Sequence, residues 1–112
     1  PPGLFVGTTD SLGERVQRKL PKANVVKCFN TVSNPQMIDP RFKGERPKMM
    51  IAGDDAAAKK TVDEMLKGLG WAGAIDCGGI AGARWLEAHV PLWVAVAGQL
   101  NSYDAIFQPV LP

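Results

Sequence analysis

Histidine and tyrosine occur once each in these 112 residues, cysteine twice, and aromatic side chains make up 7% of the chain. So few ligands exclude a structural zinc site, because Cys28, Cys77 and the lone His89 form neither a C-x-x-C pair nor a Cys/His cluster. Both cysteines lie in short apolar segments and read as free thiols in a reducing cytoplasm, with a disulfide between them as the alternative. Charge of one sign is also lacking: 13 Lys+Arg stand against 11 Asp+Glu, a net +2 with no basic run. That balance argues against a nucleic-acid partner or a membrane surface. Long apolar runs are missing too. The longest, Val90 to Ala97, is broken by Pro91 and falls far short of the roughly 20 residues of a membrane span. No nucleophile stands with a base, and no triad can be assembled.

What is present is enough apolar material, 46%, for one core in a chain of this length. Ser11 followed by Glu14 opens a helix in which Leu12, Val16 and Leu20 form a narrow apolar stripe, and Pro21 closes it. Val25-Val26-Lys27-Cys28-Phe29 is β-rich and nearly continuous in apolar character, as in a strand covered on both faces. Residues 33–47 carry Pro35, Pro40 and Pro47 and read as an irregular excursion. Lys48 to Gly53 is the next strand. Asp54-Asp55 then caps a helix to about Lys67 that carries Val62, Met65, Leu66 and Leu69. Ala74 to Cys77 is a third strand, and Ile80 to about Leu100 a helix kinked at Pro91. Leu4-Phe5-Val6 is a short apolar run, and Ala105-Ile106-Phe107 a candidate last strand. Strands alternating with amphipathic helices predict an α/β fold with a mainly parallel sheet, helices on both faces and an open edge.

Gly68, Gly70 and Gly73 spell G-x-G-x-x-G, yet they leave a helix and enter a strand. A pyrophosphate loop does the reverse, so a glycine C-cap with Trp71 packed beneath is expected instead. Gly78-Gly79-Ile80-Ala81-Gly82 does leave a strand for a helix. It reads as a tight turn or as a ligand-facing loop. Trp85, Leu92 and Trp93 read as core, and His89 as a packed or surface residue. Phe29-Asn30-Thr31-Val32 is the candidate site, because ligands of open α/β sheets sit beyond the carboxyl ends of strands. Asn30 and Thr31 offer hydrogen bonds to a carboxamide or ring edge but no strong acid or base.

The ordered segments Val25 to Val32, Ile51-Ala52-Gly53-Asp54-Asp55 with Ala58-Lys59-Lys60, Ile75-Asp76-Cys77-Gly78, and Ala83-Arg84-Trp85-Leu86-Glu87 resemble one family. It is that of the deazaflavin-dependent (coenzyme factor 420) NADP reductases, and the reductase domains of the STEAP metalloreductases are similar. The resemblance implies a Rossmann-like domain, of which this single domain, 1–112, is the C-terminal part without the N-terminal pyrophosphate-binding unit. It implies NADP or NAD as cofactor and a deazaflavin or flavin ring as acceptor, with hydride passing directly between the rings. Archaeal members place a histidine where Asn30 stands. The site residues implied are Phe29, Asn30, Thr31 and Val32 on the nicotinamide side, while Glu87 to Leu92 approach the acceptor; Gly78 and Gly79, from the ligand-facing reading of the glycine turn, complete the candidate cofactor-binding residues. Expected partners are small-molecule cofactors and a second copy in a homo-oligomer, a dimer at its simplest. The alternative is a non-catalytic, self-associating interaction domain.

Overall fold

The computed structural model describes residues 3–4 and 6–112. The apolar run at Leu4-Phe5-Val6 therefore lies partly outside the described residues. Helix α1 is Leu12–Lys19. Strand β1, Val26–Lys27, and strand β2, Met49–Gly53, are separated by the proline-bearing excursion, which holds one turn of 3-10 helix at Asn34–Gln36. Helix α2, Ala56–Gly68, leads to strand β3, Ala74–Asp76, and a 3-10 turn at Ile80–Gly82 runs into helix α3, Ala83–Leu100.

The sheet order is β1-β2-β3, with β2 parallel to β3 and β1 antiparallel to β2. The α/β architecture with flanking helices is as expected, and the sheet is mixed. Alternation along β2 explains the two layers of helix. Met49 and Ile51 join Leu66 of α2 and Trp71 in the buried cluster, with Val32 closing it. On the other face Ala52 lies against Gly82 at the entry to α3, where a Cβ on the glycine would stand 3.2 Å from that of Ala52. Small residues on this side let the start of α3 approach the sheet closely.

Local chemistry sets the boundaries. Ser11 caps α1 by accepting from Glu14 N–H, and Asp55 caps α2 by accepting from Ala58 N–H. Helix α2 ends in a Schellman motif: Trp71 N–H returns to the Leu66 carbonyl at 3.0 Å and Gly70 N–H to Lys67 at 3.2 Å, with Gly70 at φ +100°. Trp71 is buried, and its indole N–H donates to the Met37 carbonyl. The G-x-G-x-x-G is thus the helix stop expected.

Four expectations change. The strand expected over 25–29 pairs only at Val26–Lys27, because Phe29 turns into the left-handed region at φ 61°. Ala105-Ile106-Phe107 forms no strand; Trp93 donates to the Ala105 carbonyl, and the Gln108 amide brackets the Lys48 backbone from both sides. The stripe Leu12, Val16 and Leu20 is 44 to 54% exposed, since α1 turns Gly13 and Glu14 inward instead. Trp85 and Leu92 are likewise exposed, because α3 presents Ala83, Leu86 and Ala97 to the interior.

Candidate functional site

Phe29 lies where the chain leaves β1. Its left-handed backbone is sterically costly for a residue with a side chain, by about 1–2 kcal/mol. The turn aims Asn30 at the first turns of α3, where its amide donates to the Leu86 carbonyl at 2.5 Å. Five residues past Leu86, Pro91 has no N–H to give the Glu87 carbonyl, so the carbonyl next to the one that Asn30 takes is left without its helical donor. With its nitrogen committed to Leu86, Asn30 keeps its carbonyl oxygen and a second N–H for another group.

Asn30 shares a cavity of about 190 Å³ with Lys27 of β1, Glu87, Val90 and Pro91 of α3, and Leu4, Val6 and Leu12. The walls are mainly apolar, and the polar groups are one amide and one pair of opposite charges. Glu87 accepts from Leu12 N–H at 2.8 Å and Gly13 N–H at 3.1 Å, and its carboxylate lies 3.6 Å from the Lys27 ammonium. Satisfying two free amides of a helix N-terminus with a carboxylate is favourable for both hydrogen bonding and the helix dipole. One turn earlier, Arg84 grips Glu14 of α1 with two hydrogen bonds, at 2.9 and 2.7 Å. The guanidinium holds the Glu14 carboxyl below the usual carboxylate range, against the opposing effect of burial. Between the two contacts Gly13 meets Ala83 so closely that a Cβ on it would lie 2.8 Å from the alanine methyl. Ala83, Arg84, Leu86 and Glu87 are therefore a clamp that sets α1 against α3 and shapes one wall of the cavity.

Thr31 and Val32 stand inside the core. The Thr31 hydroxyl faces Met49 Sδ at 3.9 Å, and Phe29 packs against the same cluster as Val32. Of the four segment residues, Asn30 is the one that lines the cavity. Gly78 and Gly79 sit elsewhere. Because β1 is antiparallel to β2, with Val26 opposite Gly53 and Lys27 opposite Ala52, the chain leaves β1 toward the start of β2, whereas Gly78 follows β3 beside Gly53, where β2 ends. The Gly78 amide is taken by the Asp76 carboxylate and the Ile80 amide by Asp54, each at 2.8 Å. Two carboxylates in the amide cradle disfavour an anion there, so this glycine turn is filled by the chain itself. Asp54 and Asp55 cap different helical segments. The Lys27–Glu87 pair was not singled out by sequence reasoning; its signal was a lysine inside an apolar strand and an acid one turn before a helix proline.

The thiols are free, and burial pushes Cys28 up to about 11 and raises Cys77 as well. His89 packs edge-on against Phe107, ring centroids 4.9 Å apart, and burial lowers its pKa. No helix among the described residues is long and apolar enough to cross a membrane.

A crystallised protein from Arthrobacter sp. FB24, assigned as an F420-dependent NADP reductase, superposes with a TM-score of 0.94 and 41% identity over 99% of this chain and 50% of its own. The chain is similar to F420-dependent NADP reductases. The enzyme of that name from Methanocaldococcus jannaschii is 29% identical over 86% of this chain and 43% of its own length. The metalloreductase STEAP3 of Rattus norvegicus is 37% identical over 73% of this chain and 16% of its own. The chain spans less than half the length of these curated relatives. No protein-family model matches it. Both likenesses read from the motifs are borne out, and the superposition bears out the Rossmann-like α/β fold. The names support an NADP-dependent reductase relationship.

Proposed function

We propose that this chain is the acceptor-side, C-terminal part of a Rossmann-like NAD(P)H-dependent oxidoreductase, with Asn30 at the point where nicotinamide meets the acceptor ring. The observation that carries this reading is the cavity itself. It joins the anchored amide of Asn30 to the Glu87–Pro91 stretch of α3, the two segments that the family resemblance assigns to nicotinamide and acceptor. Its roughly 190 Å³ suits one ring rather than a dinucleotide, since sites that enclose a whole drug-sized ligand run to about 300–1,000 Å³. The remaining polar valences of Asn30, one acceptor and one N–H donor, complement a carboxamide. When bound, a dihydronicotinamide supplies hydride and a deazaflavin or flavin ring accepts it. The chain's own contribution is position: Asn30 orients a carboxamide, and Leu4, Val6, Val90 and Pro91 keep water from the ring faces. The pyrophosphate of a dinucleotide has no cradle at Gly78–Gly82, which supports a phosphate-binding unit other than this chain's glycine turn.

Calorimetric titration with reduced nicotinamide mononucleotide and with NADPH tests this. Weak binding of both, lost about tenfold or more in Asn30→Leu, is the expected result. Low-micromolar NADPH binding that ignores Asn30→Leu would overturn the reading.

A second reading is favoured by a different observation. Trp85 and Leu92 on α3, with Leu12, Val16 and Leu20 on α1, leave large apolar side chains exposed. In that reading the chain self-associates through these faces as a homo-oligomer. Sedimentation showing a monomer at high concentration would remove it.

A further inference from the structure

Lys27 stands out among the groups lining the cavity. Among the described residues it is the one cationic side chain there and its ammonium donates no hydrogen bond; its side chain is 21% exposed. Its counter-charge, Glu87, is 14% exposed and lies 3.6 Å away, while two α1 amides hold the same carboxylate at 2.8 and 3.1 Å. Glu87 is therefore shared, and it fixes Lys27 at the wall without consuming the ammonium's donors. A buried-side lysine with unspent donors beside an amide anchored to α3 is a preorganised positive charge in a mainly apolar cavity, where such a charge acts more strongly than in water.

We propose that Lys27 is a specificity-determining residue of this cavity, favouring the reduced, anionic form of a flavin-like acceptor ring over the oxidised, neutral form. The inference rests on the hydride exchange proposed above. In that exchange one hydrogen and one electron pair leave the dihydronicotinamide, whose C–H bond breaks, and the acceptor gains both in a new bond to hydrogen. A neutral acceptor thereby acquires one negative charge before solvent protonates it, and the nicotinamide becomes a cation. Lys27 attracts the first product and repels the second; Glu87 opposes this, but its charge is offset by the Leu12 and Gly13 amides at the start of α1, so the balance favours the acceptor. Glu87 acts as the positioning residue: it aims Lys27 and, through Leu12 and Gly13, holds the α1 wall.

The test is anaerobic calorimetry of the full chain with riboflavin in mildly alkaline buffer, oxidised in one titration and chemically reduced in the other. Wild type is expected to bind the reduced ring about tenfold more tightly, the factor that corresponds to about 1.4 kcal/mol. Lys27→Met should bring the two affinities together, and Lys27→Arg should keep the preference, a pattern that loss of packing alone would not give. A wild type that binds both forms equally, or a Lys27→Met variant that keeps the preference, overturns the proposal. If wild type binds neither riboflavin nor reduced nicotinamide mononucleotide, the proposed function itself fails and this inference with it. Should Lys27→Met not fold, the salt dependence of the wild-type preference decides: a Coulombic preference falls as salt is added, and one that does not change refutes the role.

Discussion

Replacing Glu14 by Gln separates the charge of the α1–α3 clamp from its shape. Glu14 is 8% exposed and accepts two hydrogen bonds from Arg84 and one from the Ser11 hydroxyl, so the substitution keeps the volume and removes the charge. Breaking one partner of a buried pair costs about 3–5 kcal/mol. Arg84 keeps 31% of its side chain in solvent, which screens the orphaned guanidinium, so about 2 kcal/mol is the expected loss. For a domain near this size that lowers Tm by roughly 10 °C. The pH dependence supplies the sign. Arg84 lowers the Glu14 pKa in the folded state, so its contribution is complete above the ordinary value of 4.5 and is lost as pH falls through the lower folded value. Urea unfolding followed by tryptophan emission should show a constant gap between wild type and Glu14→Gln from neutral pH down to about pH 5, closing below that. An Arg84→Met background should remove most of the gap at neutral pH. A gap under about 0.5 kcal/mol at pH 7, the size of an ordinary surface change, would refute the clamp. A gap that persists unchanged in acid would refute its electrostatic origin.

Gly13→Val should destabilise by about 2 kcal/mol or more in thermal unfolding, because the position already lies 2.8 Å from the Ala83 methyl at Cβ and a β-branched side chain forces the helices apart. Asp55→Ala should cost about 1 kcal/mol in thermal unfolding through the lost α2 cap, and Asp54→Ala a similar amount through the Ile80 amide. The Cys28 thiol, pushed up to about 11, should react slowly with iodoacetamide at neutral pH and faster only as the chain unfolds.

Helix limits were legible because they are written in short-range chemistry. Ser11, Asp55 and the Gly70–Trp71 pair each act within five residues, and the structure uses them as their residue types imply. Which face a helix buries is not short-range. Leu12, Val16 and Leu20 form a proper stripe, yet α1 turns Gly13 and Glu14 inward because Ala83 and Arg84, seventy residues later, complement them. A glycine and a glutamate do not score as a buried face in any periodicity count. Trp85 illustrates the converse: one of the two tryptophans of α3 is exposed while Ala83 and Leu86 on either side are buried.

The candidate site divides along the same line. Asn30 was legible from its place just beyond a strand; that Gly78 and Gly79, which follow another strand, stand at a different rim was not, because the strand-end rule presumes parallel strands. A two-residue β1 running antiparallel to β2 breaks that premise, and no pattern within Val25 to Phe29 encodes the direction of its neighbour. The direction has a functional consequence. If β1 ran parallel to β2, Asn30 and Gly78 would share one rim, and a ring at the first could have its phosphate at the second. With β1 reversed, the Gly78 rim is closed by Asp54 and Asp76, while Asn30 opens toward α1 and α3. Any phosphate belonging to a ring held by Asn30 must then be bound by groups other than this glycine turn. Mutating Gly79 to Ala, which would press on Asp54 at 2.9 Å, should therefore lower stability without changing the affinity for reduced nicotinamide mononucleotide. A selective loss of that affinity with stability intact would place the phosphate at Gly79 and refute the division of the two rims.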